Sequence, residues 1–369
     1  MRTKIALFSG IYPPATGGPA KFAETFYDYC QENSIGLTVY AYGALQVDRH
    51  VDRKVKIIPL SLPVPIRYLL MVSYILREAF TGSALLANGC FWEFSIATFM
   101  WRFKYVAKIP GDIVWERAKN KGLTSDSIEV FQGQKINWTF SVLRKMFSFS
   151  LKRAECVIAP SGHLKGLAVN WGVAPNKIRI VSNSISLTQF CPAPLKVKGY
   201  DFVTVSRLVP WKGIDKVIET TALLNRSLLI VGDGPDRERL ERLSRQVGAK
   251  TTFAGDIAQA NLPEMLVGSS SFILNSSFEA TSYALLEAMA CGLLVIANEK
   301  TGSEEIIVHM KNGLLCGDQS GFLLIDAMKF CMKESQLTEA IRFHARETVE
   351  MNFNLNLNYQ IIGNLCLAI

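Results

Sequence analysis

The sequence predicts an α/β protein built from two doubly wound, mostly parallel sheets, and three observations predict it. Short β-rich runs alternate with longer amphipathic stretches along the 369 residues, the pattern of parallel strands covered by helices. That pattern lapses around Pro192 and Pro194 and then starts again. The chain is also too long for one ordinary core and suits two domains of roughly 150–200 residues each. Its composition, 49% hydrophobic and 20% charged, is that of a folded protein and excludes a disordered one.

The elements can be read in order. In the first half, candidate strands are Lys4–Phe8, Gly36–Tyr42, Val55–Ile58, Ala84–Ala87, Tyr105–Ile109, Cys156–Ala159 and Ile178–Val181, with a helix near Phe22–Tyr29. The stretch Phe190–Lys198 holds two prolines and few apolar anchors, so it is the expected linker. Beyond it come Phe202–Val205, Ser227–Val231, Thr251–Ala254, Ser271–Leu274 and Leu293–Ala297. The expected domains are 1–192 and 193–350, with 351–369 a C-terminal segment returning to the first. Two Rossmann-like domains facing a central cleft would bind ligands beyond the carboxyl ends of their strands.

The net charge of +8 is unevenly placed. Residues 1–195 hold 23 Lys and Arg against 12 Asp and Glu, and the remainder 17 against 20. From Lys135 to Lys165, cations interleave with Trp138, Phe140, Phe147 and Phe149. This suits either an anionic membrane surface or a solvated basic face over a core helix. No nucleic-acid reader module accompanies the charge, so nucleic acid is not an expected partner. No apolar stretch reaches the roughly 20 residues of a convincing membrane span, and no signal peptide precedes the first strand. The expected location is cytoplasmic, with peripheral contact at the inner face of the membrane. The eight cysteines form no Cys-x-x-Cys pair and read as reduced core thiols.

The strongest chemical signal is Phe278 to Gly292, reading FEATSYALLEAMACG. Glu287 is the only charged residue between Ala280 and Ala297, so its helix should be buried, and a buried lone carboxylate requires a partner. Thr281 or Ser282 would cap the helix, and the open amides near Thr281, Ser282 and Tyr283 would face an anion such as a diphosphate. Glu287 can accept two hydrogen bonds from a ribose diol, and Glu279, in the preceding loop, would face a sugar. The run VSRLVPWKG places Arg207 and Lys212 at a strand's carboxyl end. Such a pair is either a solvated surface feature or a diphosphate clamp. The loop Gly10–Ala20 carries Gly17 and Gly18, where backbone can approach a phosphate without an intervening Cβ.

The fifteen-residue segment resembles the Glu-x7-Glu signature of the family 4 retaining glycosyltransferases, which have the GT-B fold. The resemblance implies that Glu279 meets the transferred sugar, that Glu287 holds the ribose and that Arg207 and Lys212 take the diphosphate. It also implies that the Gly17–Gly18 loop closes on the donor phosphate, and it extends to Gly232 in VGDGP, to Thr301–Ile306, and to Asn183 and Phe190. Base recognition is expected from backbone near Asp256 and Ile257. One position departs from the family pattern. A histidine is common in the first domain near the reacting sugar, whereas here Asp112 is the polar residue, in KIPGDIVWE. It is either a stand-in that contacts donor sugar or acceptor, or an ordinary turn aspartate.

The implied activity is transfer of a hexose from a UDP- or GDP-sugar to a glycan or lipid-linked acceptor in cell-envelope polysaccharide synthesis. It needs no cofactor, and no metal, since no Asp-x-Asp occurs. Same-face attack, with the leaving phosphate helping to deprotonate the acceptor, is the family's expected route to retention. A non-catalytic nucleotide-sugar-binding component of a polysaccharide assembly, an inverting GT-B enzyme or an epimerase are the alternatives.

Overall fold

A computed structural model describes residues 4–15, 17–44, 53–134, 136–193, 199–333 and 335–369. Thr16, His50, Lys135 and the 194–198 part of the expected linker therefore lie outside the described residues. The chain divides into two compact units, Met1–Ser182 with Asn356–Ile369, and Asn183–Leu355.

The N-terminal unit runs β1 (Lys4–Ser9), α1 (Gly18–Glu32), β2 (Gly36–Gly43), β3 (Val55–Pro59), α2 (Val64–Phe80), β4 (Ala84–Asn88) and α3 (Phe91–Met100). It continues with β5 (Val106–Lys108), α4 (Ile113–Asn120), α5 (Ile128–Gly133), α6 (Trp138–Arg153), β6 (Cys156–Ala159), α7 (Gly162–Asn170) and β7 (Ile178–Ile180). Its sheet has the order β3-β2-β1-β4-β5-β6-β7, every pairing parallel. β1 and β4 are buried from Ile5 and Ala84 onward because their runs are apolar on both faces, as strands covered by helices on either side require. On one face Phe8 stacks on Tyr40 at 5.0 Å and meets Phe94 of α3 edge-on.

The C-terminal unit runs β8 (Tyr200–Val205), α8 (Ile214–Leu223), β9 (Ser227–Val231), α9 (Arg237–Gln246), β10 (Lys250–Gly255), α10 (Leu262–Val267) and β11 (Ser269–Leu274). It then adds α11 (Tyr283–Ala290), β12 (Leu294–Asn298), β13 (Leu314–Cys316), α12 (Leu324–Cys331) and α13 (Gln336–Asn352). Six parallel strands take the order β10-β9-β8-β11-β12-β13. Two buried clusters line this unit, one including Leu285, Leu286 and Met289 of α11, the other including Ile214, Val217 and Ile218 of α8. The final helix, α14 (Leu355–Leu367), packs on α1, where Phe22, Phe26 and Tyr29 surround the Tyr359 ring and Thr25 bonds its hydroxyl at 2.6 Å.

The division falls at Ser182–Asn183, ten residues before the expected 192–193 boundary. Ile185 and Phe190 are buried among core residues of the C-terminal unit, and Arg346 donates to the carbonyls of Phe190 and Ala290, both at 2.7 Å. The prolines mark a break in the strand-and-helix pattern and not the change of core. The short edge strand β13 is an addition to the strands expected from the sequence.

Candidate functional site

In the C-terminal unit the strand order reverses at β8 and β11, and doubly wound sheets bind ligands outside the carboxyl ends of such a pair. The loops leaving these strands carry the Arg207–Lys212 and Glu279 segments. After β8 the chain makes a tight 3-10 turn at Pro210–Lys212 that ends on Gly213, which has left-handed φ. Asn275 donates to the Gly213 carbonyl at 2.8 Å, and the Ser277 amide donates to the Trp211 carbonyl at 2.9 Å. The two loops are therefore stitched together by hydrogen bonds to backbone, and they bring Lys212 Nζ within 2.5 Å of Glu279 Oε1. Lys212 and Glu279 side chains are 13% and 12% exposed. Arg207 is exposed and makes no ion pair among the described residues.

A third loop completes the frame. The Glu279 amide donates to the Thr301 carbonyl at 2.6 Å, and Glu304 Oε2 accepts from the Thr301 and Gly302 amides at 3.3 and 3.0 Å. A Cβ on Gly302 would lie 2.1 Å from the Glu279 carbonyl oxygen, so only glycine permits this approach. Gly232 serves the same purpose. Its φ is +119°, and a Cβ there would sit 2.0 Å from the Ser206 carbonyl oxygen. Gly232 thus acts through its backbone, holding the exit of β9 against the Arg207 loop.

Of the two cap candidates, Ser282 caps α11, accepting from the Leu285 amide at 3.4 Å. The buried Thr281 offers its carbonyl to Asn183 at 2.9 Å. Tyr283 and Ile257 are half-buried and pack against the core cluster that contains α11. Glu287, one turn into that helix, is 2% exposed. Gln259 Nε2 donates to its Oε1 at 2.6 Å. Gln259 follows β10, and no motif in the sequence marks it. Its position two residues beyond Ile257 links the expected base-binding loop to the expected ribose acid.

Two features bear on the expected roles. Lys212, expected to face a diphosphate, and Glu279, expected to face a sugar, are joined as an ion pair, so a donor must compete for both. Asp112 is an N-cap. Its Oδ1 accepts from the Val114 and Trp115 amides at 2.9 and 3.0 Å, and its Oδ2 from Gln132 at 2.9 Å. Gln132 in turn accepts from the Trp171 indole at 2.8 Å. Burial raises the Asp112 pKa, against the bonds from Trp115, Gln132 and Val114. With both oxygens engaged inside the fold, Asp112 is structural.

In the N-terminal unit Gly17 stands at the N-cap of α1 with φ of +142°, and Gly18 opens the helix. Phe140 and Phe147, part of the basic aromatic stretch, are buried, whereas Trp138 is 80% exposed and Phe149 37%. Among the described residues no helix is long and apolar enough to cross a membrane. Most cysteines are buried, and burial pushes the Cys30 and Cys331 thiols up to about 12. Cys191 is exposed.

Residues 189–348 match the family model described as glycosyl transferases group 1. The chain is 29% identical over 188 residues to the lipopolysaccharide core biosynthesis glycosyltransferase LpsD of Rhizobium meliloti, covering 48% of this chain and 53% of that protein. It is 31% identical over 159 residues to the N-acetyl-alpha-D-glucosaminyl L-malate synthase of Bacillus anthracis, covering 41% of each. The chain thus spans about half the length of the curated relatives it matches. Among solved structures, Anabaena HepE in complex with UDP and glucose aligns over 100% of both chains with a TM-score of 0.78 at 18% identity. At that identity the likeness shows the fold, which is GT-B.

Proposed function

We propose that this chain, whose residues 189–348 match the glycosyl transferases group 1 model, is a metal-independent retaining hexosyltransferase that uses a UDP- or GDP-sugar. The observation that carries the reading is the pairing, at one sheet-reversal crevice, of the Lys212–Glu279 couple with the buried Glu287 eight residues on. Relatives support both nucleotides. HepE was solved with UDP, and a Mycobacterium tuberculosis relative, 30% identical over 161 residues, is a GDP-mannose-dependent mannosyltransferase.

In this reading the donor's ribose diol meets Glu287, and Gln259 shares or yields its bond. The diphosphate takes the charge of Lys212 and Arg207 together with the amides at the start of α11. Release of Lys212 leaves Glu279 free to accept from the transferred sugar. The acceptor oxygen bonds to the anomeric carbon on the face from which the C1–O(phosphate) bond breaks. The acceptor's proton passes to the leaving phosphate oxygen, and the nucleoside diphosphate departs. The acceptor is a glycan or lipid-linked sugar of the cell envelope, reached by peripheral contact of the basic N-terminal unit with an anionic membrane. Proton NMR of freshly formed product tests the stereochemistry. The reading predicts the donor's anomeric configuration, and the opposite configuration would rule out retention.

A further inference from the structure

We propose that the buried carboxylate of Glu93, bonded by Tyr42 and with Tyr68 and Arg117 among its neighbours, is an acceptor subsite of the N-terminal unit that binds a sugar next to a phosphate. The inference rests on the transferase reading and deepens it by giving the acceptor a place and a chemistry.

Among the described residues three acids of this unit are buried, and they are not treated alike. Glu78 accepts from the Tyr40 hydroxyl at 2.5 Å, from Ser83 at 2.6 Å and from Lys4 at 3.1 Å, so both of its oxygens are engaged. Asp112 is likewise satisfied on both oxygens. Glu93 is 2% exposed, and its Oε1 accepts from the Tyr42 hydroxyl at 2.6 Å. Its Oε2 has no hydrogen-bond partner among the described residues. A buried, unsatisfied carboxylate oxygen is costly, and one kept in a fold calls for an explanation, of which a ligand hydroxyl is one.

The location fits a ligand. In the N-terminal sheet the strand order reverses at β1 and β4, and α3, with Glu93 in its first turn, follows the carboxyl end of β4. Gly89, with φ of +101°, turns the chain out of β4, and a Cβ there would lie 3.3 Å from the Gly10 amide. Tyr42, the last but one residue of β2, lies on the face that carries Tyr40, because alternate strand residues share a face. Half-buried Tyr42 bonds Glu93, half-buried Tyr68 and exposed Arg117 are near enough to act on it electrostatically, and the Arg117 guanidinium sits 4.0 Å from the Trp92 ring centre. Arg117 is exposed and makes no salt bridge among the described residues. A carboxylate with one oxygen to spare, near phenol groups and a cation that rests on an indole, suits a sugar hydroxyl with an adjacent phosphate.

Burial raises the Glu93 pKa against the Tyr42 bond, its own amide and the Arg117 charge, and the other titratable neighbours are Tyr68 and Cys90. A sugar hydroxyl donates best to the ionised form. Affinity therefore rises as pH climbs through the raised pKa.

The test is calorimetry on the full chain with two probes, N-acetylglucosamine 1-phosphate and farnesyl-diphospho-N-acetylglucosamine. Binding of both at equal strength places recognition in the sugar phosphate, and tighter binding of the second adds the lipid. Glu93→Gln and Arg117→Ala should each weaken binding roughly tenfold or more, and Glu93→Gln should flatten its pH dependence. Glu78→Gln should leave binding unchanged. Should Glu93→Gln fail to fold, the surface variant Arg117→Ala decides alone. Failure of both probes to bind the wild-type chain, or wild-type affinity in the folded variants, would overturn the proposal. These readouts need no nucleotide, so they stand or fall separately from donor turnover.

Discussion

Glu287 and Gln259 show what a single residue contributes to the proposed donor side. A carboxylate at 2% exposure accepts an amide bond of 2.6 Å, which a ribose diol can share or replace. Glu287→Gln should therefore weaken UDP or GDP binding roughly tenfold or more, since hydrogen bonds to charged groups are worth about 1.5–3 kcal/mol. Gln259→Ala should alter affinity far less, because the ligand supplies the missing donors. Titration calorimetry with the free nucleotides separates the two. Glu287 was legible in the sequence because it is the one charge in an apolar helix. Gln259 was not, because it comes from a separate loop, after β10, and no local pattern marks it. Asp112 was open to two readings because Pro-Gly-Asp before a helix looks the same whether the carboxylate caps amides or meets a ligand.

At the scale of elements, the loops leaving β8, β9 and β11 are locked by close backbone approach. Gly232→Ala sets a Cβ 2.0 Å from the Ser206 carbonyl oxygen at a φ that side chains rarely adopt. It should cost about 1–3 kcal/mol of stability, read as a lowered Tm, and should displace the Arg207 loop. On the other unit, burial pushes Glu78 up, yet bonds from Ser83, Tyr40 and Lys4 outweigh it and hold the carboxyl below its usual range. The stability it lends is present above the unfolded pKa and disappears as pH falls through the lower folded one. Glu78→Gln should flatten the acid limb of a pH-stability curve measured by thermal denaturation. Most strands were legible from apolar runs bounded by turns. The three-residue β13 was not, since periodicity needs more length, and the boundary was misplaced because prolines are visible in sequence whereas the burial of Ile185 and Phe190 is not.

Over the whole molecule, two sheets of the same parallel design carry different charge. Residues 1–195 hold 23 cations against 12 acids, and the N-terminal unit displays Trp138 at 80% exposure and Phe99 at 84%. Binding to phosphatidylglycerol-containing vesicles is expected at low salt, with progressive loss as salt rises to about 0.5 M and weakening in Trp138→Ala. Salt-independent binding, or none, would remove the membrane from the account. The two-sheet architecture was readable from the restart of the strand pattern, and the burial of Phe140 and Phe147 was not, because an interleaved aromatic serves a core as well as a membrane.

Release of nucleoside diphosphate from a panel of UDP- and GDP-sugars by the purified full chain tests the central claim most directly. The account predicts release from one nucleotide class in the wild type. In Lys212→Ala that rate should fall on the order of a hundredfold, with the loss of charge opposite the leaving phosphate. No release from any donor by the wild type, or near-equal rates in the two proteins, would contradict it.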